Sequence, residues 1–120
     1  MAGESQAGCV FCKIVAKELP VKVVRETTTT LAFQESVNPQ APTHVVVVPK
    51  AHHATGADLA DNAPEVMAEL MRETGKVAEA EGVDESGYRT VFNTGVDAGQ
   101  TTLHAHAHVL GGRGLSWPPG

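Results

Sequence analysis

The sequence predicts an α+β domain, a mostly antiparallel sheet of about five strands with one long helix and a short N-terminal helix. Three observations lead there. "THVVVVPK" runs four valines together, Val45 to Val48, and stops at Pro49; such an unbroken β-branched run needs cover on both faces. "DNAPEVMAELMRETGKVAEAEGV" repeats apolar residues at helical spacing: Val66, Met67, Leu70, Met71, Val77 and Ala78 form one stripe. Strand-type runs stand on both sides of that helix, divided by loops carrying glycine, proline and asparagine.

Taken in order, residues 1–8 read as a disordered start and residues 9–120 as a single domain. "CVFCKIVAKEL" is mildly helix-forming and Pro20 ends it. "VKVVRE" and "TTTTLAF" read as a hairpin, and "SVNPQAP" as a loop. The long helix takes Asp61 or Asn62 as its cap, Pro64 in its first turn and Gly82 at its end. "YRTVFN" is the next strand, "TGVDAGQ" a glycine-rich loop, and "TTLHAHAHVLGG" the last strand.

Composition narrows the function. The chain has 120 residues, 42% of them hydrophobic, and a net charge of −5. It is long enough for one core and small enough to gain from oligomerisation. No cluster of Lys and Arg stands out, which argues against long nucleic acid and anionic membranes as partners. "MAGESQAG" lacks the apolar segment of a signal peptide, and no apolar run is long enough to span a membrane. The expected compartment is the cytosol, where Cys9 and Cys12 would not form a structural disulfide.

The most informative stretch is "LHAHAHVLGG". In a strand, alternate side chains share a face, so His104, His106 and His108 would stand in a row, with Ala105, Ala107 and Val109 behind them. A chance cluster is one reading. A metal site is another, although a row spanning roughly 13 Å of backbone leaves the outer pair too far apart for one ion. A catalytic row accounts for all three positions, with the middle ring as nucleophile and its neighbours orienting it and moving protons. Cys9 and Cys12 likewise allow three readings: buried packing residues, a redox pair without thioredoxin-like context, or half of a zinc site needing two more ligands.

"QTTLHAHAHVL" resembles the signature of the histidine triad (HIT) nucleotide-binding proteins. "CVFCKI", "LAF" before "NPQAPTHVVVVPKAH", "GYRTVFNTGVDAGQ" and the tail "GGRGLSWPPG" resemble the Hint branch of that family, from Cys9 to Gly120. The resemblance implies a purine nucleoside phosphoramidase acting at the α-phosphate through a nucleotidyl-histidine intermediate. His106 would be the nucleophile and His108 the proton donor to the departing amine. His104 would complete a relay with His44. Asn93 and Thr101 would hold the phosphate or leaving group, and Gly99 and Gln100 would offer backbone N–H groups to it. Gly95 reads equally well as an ordinary turn.

The resemblance also implies a twofold dimer whose sheet is continuous across the interface, with Trp117 of the tail reaching toward the partner's site. The expected ligand is a purine nucleoside monophosphate or phosphoramidate, with no cofactor required for catalysis. Some relatives with a CxxC bind zinc, which maps here onto Cys9, Cys12, His52 and His104, with His53 as the exposed neighbour. The other functions the resemblance allows are a dinucleoside polyphosphate hydrolase or nucleotidyl transferase, and a nucleotide-binding, zinc-stabilised scaffold of little activity.

Three departures from the family pattern stand out. Thr101 replaces the usual serine, and Ala105 and Ala107 are smaller than usual. The third is "FQESVNP", which replaces Phe-x-Asp-x-x-Pro and adds a residue. Counting from Phe33 puts Glu35 where the ribose-binding carboxylate belongs; counting back from Pro39 puts Ser36 there, with Val37 under the base. Glu35 is the expected acceptor, because a carboxylate takes both vicinal hydroxyls.

Overall fold

The computed structural model describes residues 5–120, so the first half of the predicted disordered start lies outside the described residues. In chain order the elements are α1 (Val10–Val15), β1 (Val23–Glu26), β2 (Thr30–Gln34), β3 (Thr43–Pro49), α2 (Gly56–Asn62), α3 (Pro64–Ala80), β4 (Tyr88–Phe92), a 3-10 turn (Val96–Ala98) and β5 (Ala107–Gly111). The strands form one five-stranded sheet in the order β1-β2-β3-β5-β4, and every pairing is antiparallel. The predicted α+β class and hairpin β1–β2 are both present. Residues 5–8 turn back on α1: the Cys9 N–H donates to Gln6 O at 3.0 Å, and the Gln6 N–H to Cys12 Sγ at 3.4 Å.

Strand β3 is central and buried along its whole length. Its valines divide by alternation. Val45 and Val47 join Leu70 and Val77 of α3, together with Ala105, Ala107 and Val109. Val46 and Val48 join Ile14, Leu31 and Phe33, with Phe11 of α1 packed against them. The valine run is therefore covered on both faces, by α3 on one side and by α1 on the other.

The helical region differs from its sequence reading. It is two helices, and Asp61 and Asn62 end the first instead of capping the second. Thr55 caps α2 by accepting from Asp58 N, while α3 starts behind Ala63 with Pro64 and no side-chain cap. Thr55-x-x-Asp58 is a capping-box signal that the apolar periodicity hid. At the other end, Gly82 (φ +74°) closes α3 as expected. Gly82 N donates to Glu79 O and Val83 N to Ala78 O, the two bonds of a Schellman motif. Met71 is half-exposed, not core, while Glu73 and Thr74 are buried. Glu73 is buried because Arg25 of β1 donates to both its oxygens, at 2.8 and 3.3 Å.

Helix α1 ends before Pro20. Lys17, at φ 65°, donates to Ile14 O and Glu18 N to Lys13 O, a second Schellman motif with lysine in the left-handed position.

The last strand is shorter than predicted, and only Ala107–Gly111 pairs in the sheet. β4 pairs up to Phe92–Ala107 and β3 up to Val47–Ala107. Ahead of that point Ala105 N donates to His53 O instead of to a ladder partner. His104 and His106 thus precede β5. The alternation still holds: Ala105, Ala107 and Val109 are buried against α3, and the histidines face the other way.

Candidate active site and metal centre

The three histidines divide between two centres. His104 is fully buried, and its Nδ1 lies 3.3 Å from Cys9 Sγ and 3.6 Å from Cys12 Sγ. His52 Nδ1 lies 3.4 Å from Cys12 Sγ. The four donor atoms all fall within 4.8 Å of one another. Sulfur and nitrogen ligands at the usual distances from a tetrahedral zinc stand about 3.3–3.8 Å apart, and the three shortest of these separations fall in that range.

The surroundings suit a metal as well. His104 Nε2 lies 2.8 Å from Pro49 O, so Nε2 carries the proton and Nδ1 is left bare as a ligand. Backbone N–H groups of Cys12 and Gln6 point at Cys9 Sγ and Cys12 Sγ, each at 3.4 Å, and would support thiolates. Without metal, burial raises the Cys9 thiol pKa and holds His104 down to about 4. This closed Cys2His2 set fits a structural zinc. His53, expected to be exposed, is buried, and its Nδ1 has no hydrogen-bond partner.

His106 and His108 form the second centre, their ring centroids 5.0 Å apart. His106 Nδ1 lies 2.7 Å from His104 O, so Nδ1 donates and Nε2 keeps a free lone pair. Phe11 stands edge-on to His106 at 4.9 Å and to His104 at 5.7 Å. His44 sits diagonally across β3 and β5 from His108, since Val46 is the residue directly opposite. His44 Nε2 lies 2.9 Å from His108 Nδ1, and Gln40 N donates to His44 Nδ1 at 3.0 Å. The expected relay of His44 with His104 is therefore replaced by one with His108, because both ring nitrogens of His104 face other partners.

Burial holds His44, His106 and His108 below the ordinary imidazole value, and His108 is pushed down to about 4. Burial thus biases all three rings toward the neutral form. A neutral ring with one bare nitrogen serves as a nucleophile, and a neutral ring with an outward N–H can donate to a strongly basic departing nitrogen.

Beside these rings runs a groove of about 440 Å³, walled by Phe11, Ile14, Val21 and Phe33 and rimmed by Glu35, Ser36 and Val37. Glu35 N donates to His44 O, which carries the β2–β3 ladder one residue past Gln34. The ladder thus runs unbroken from Phe33 through Glu35, and the turn begins at Ser36. Glu35 Oε2 accepts from Val37 N and Asn38 N and closes that turn. Val37 is 94% exposed at the turn's crest and forms no floor for a base.

The other expected contacts are spread more widely. Asn93 follows β4, and by alternation lies on the face that carries Val91 opposite His108. Gly99 N and Gln100 N are already used, donating to Val96 O and Gly95 O. The Gln100 side chain ties its loop together, accepting from Gly95 N and donating to Ala54 O and Thr102 O. Both residues thus shape the loop and do not offer free N–H groups to an anion. Thr101 borders a separate cavity of about 330 Å³ beside Cys9 and His52. Trp117 is 82% exposed beyond β4, in a tail whose Leu115 and Ser116 carbonyls accept from Arg89.

Two contributors were missed in the sequence. Phe11 lies in an apolar run whose helical spacing carries the signal: Phe11, Ile14 and Val15 share one face of α1 against the sheet. Gln40 acts through its backbone N–H, for which residue identity carries no signal.

Comparison with known proteins shows the family and the fold. The family model for the HIT domain matches residues 16–115. The chain is 43% identical over 111 residues to a HIT-like protein of Synechococcus elongatus, covering 92% of this chain and 96% of that one. It is 43% identical over 113 residues to the 14 kDa zinc-binding protein of Zea mays, covering 92% and 87%. Among solved structures, a HIT family hydrolase from Legionella pneumophila matches with a TM-score of 0.89 at 47% identity, covering 94% of this chain and 100% of that one.

Proposed function

The chain belongs to the HIT domain family, and from that premise we propose that it hydrolyses purine nucleoside 5′-phosphoramidates at the α-phosphate through a nucleotidyl-histidine intermediate. The observation that carries this is the 2.7 Å bond from His106 Nδ1 to His104 O, which leaves Nε2 bare. His106 Nε2 attacks the α-phosphorus as the P–N bond to the amine breaks. His108 Nε2–H gives the amine its proton, and the ring is left as an anion that the Nε2–H of His44 and the cationic ring of His106 stabilise until water returns the proton. Water then attacks phosphorus, His108 Nε2 takes a proton from that water, and the bond to His106 Nε2 breaks. While His106 carries the nucleotide its ring is cationic, and His104 O stabilises the retained Nδ1–H.

The groove would take the nucleoside, with Glu35 Oε1 turned to the ribose, since Oε2 is committed to the turn. Zinc, when bound, supplies a structural cross-link that holds α1 and Phe11 against the histidines. A twofold dimer through β4 is part of this reading. β4 is a sheet edge, edges gain from pairing, and Tyr88 on it is exposed. Free, metal-suited cysteines fit a cytoplasmic setting, and no helix of the described residues is long and apolar enough to cross a membrane.

A nucleotide-binding scaffold stabilised by zinc is the second reading, supported by the zinc-binding maize relative. Purified protein assayed with adenosine 5′-phosphoramidate and diadenosine polyphosphates side by side separates the readings. Faster turnover of the phosphoramidate supports the proposal. Preference for the dinucleotides indicates the alternative hydrolase, and binding without turnover indicates the scaffold.

A further inference from the structure

We propose that Arg113 is a positioning residue which sets the proton-donating tautomer of His108 from outside the site. The inference rests on the acid role given to His108 above. Arg113 Nε and Nη2 both donate to Gln40 O, at 3.2 and 2.9 Å, and Nη1 donates to Gly114 O at 2.8 Å. The ion pairs of the described residues do not include this guanidinium. Its charge is directed at main-chain carbonyls, and two of its N–H groups grip a single residue.

That residue starts the relay. Gln40 N donates to His44 Nδ1 at 3.0 Å, so His44 Nδ1 must be bare and Nε2 must carry the proton. His44 Nε2–H then donates to His108 Nδ1 at 2.9 Å, which leaves the His108 proton on Nε2. One fixed peptide N–H decides the tautomer of two rings in sequence. If Gln40 moves, His44 is free to turn or to carry its proton on Nδ1. His108 then populates the Nδ1–H tautomer, whose bare Nε2 is no acid.

The local backbone is built for this grip. Gly112 has φ +87°, and a Cβ there would meet Pro42 Cβ at 2.9 Å, so the end of β5 lies tight on the loop that contains Gln40. From the other side, Gln40 Nε2 donates to Asn38 O at 3.0 Å, and Glu35 Oε2 holds Val37 N and Asn38 N. Glu35 and Arg113 thus fix the two ends of one loop. Arg113 is exposed, so replacing it should leave the core intact.

The test is nitrogen-15 NMR of the histidine rings in substrate-free protein, for wild type, Arg113→Ala and Arg113→Lys, joined to steady-state kinetics on adenosine 5′-phosphoramidate. In wild type, His108 and His44 should both carry the proton on Nε2. Arg113→Ala should mix the tautomers of both rings and lower kcat by about tenfold or more with little change in KM, short of the roughly 10²–10⁴-fold of a lost general acid. Arg113→Lys, which keeps a donor but loses the fork, should recover part of each. Unchanged tautomers in Arg113→Ala overturn the proposal, and so do mixed tautomers with an unchanged kcat. Wild-type protein without phosphoramidase turnover refutes the proposed function alone, and the tautomers of the two variants still decide the role of Arg113.

Discussion

The Nδ1 atom of His106 lies 2.7 Å from the carbonyl oxygen of His104. The ring of His104 belongs to the Cys2His2 centre, while its carbonyl orients the ring next along the row. Phe11, which stands between the two cysteines in sequence, touches both rings. The metal centre and the reactive ring therefore share a main-chain segment and an aromatic wall.

Loss of metal should accordingly be felt twice. Untagged wild-type protein should contain stoichiometric zinc by elemental analysis. A Cys9→Ser/Cys12→Ser variant should lose it, melt lower by about 5 °C or more, and turn over more slowly as Phe11 loosens. Metal-free wild-type protein with the stability of the variant would make the cysteines simple packing residues.

Acid should act through His108. Burial comes first among the causes that lower its pKa from 6.5 to about 4, followed by His106 and His44, while Glu35 opposes them. The folded protein therefore binds fewer protons than the unfolded chain between those values. The stability from His108 is complete above pH 6.5 and is lost as pH falls toward 4, on the order of 3 kcal/mol in all. Denaturant titrations across that window should show wild type weakening more than His108→Gln. His106 is also held below the ordinary value by burial, so the acid limb of kcat/KM should be centred below pH 6.5. A limb centred above it would mean the nucleophile is not the buried ring.

Ribose recognition separates Glu35 from Ser36. Because the ladder runs through Glu35 N, Glu35→Gln should weaken ribonucleotide binding several-fold and spare 2′,3′-dideoxy analogues. Ser36→Ala should change neither. The reverse pattern in a calorimetric titration would return the ribose contact to Ser36.

Much of this was legible in the sequence for identifiable reasons. Val45–Val48 announced a strand covered on both sides, and Gly82 marked a helix end, because β-branching and left-handed φ are local properties. The division of the triad was not legible. Alternation placed three rings on one face but could not say that the ladder begins only at Ala107, so that His104 turns to the cysteines. The burial of His53 was not legible because it arises where remote segments meet, as the Ala105 N to His53 O bond shows. The His44–His108 pairing follows from strand register, and the part played by Gln40 from a main-chain N–H common to almost every residue type.

The central claim is that His106 Nε2 forms a bond to phosphorus. Rapid acid-free quenching of wild-type protein with adenosine 5′-phosphoramidate, followed by intact-mass and peptide analysis, tests it directly. The account predicts a transient adenylyl adduct on the peptide containing His106, and no adduct and no turnover in His106→Ala, which still binds nucleotide. Turnover without an adduct, sustained in His106→Ala, would contradict it.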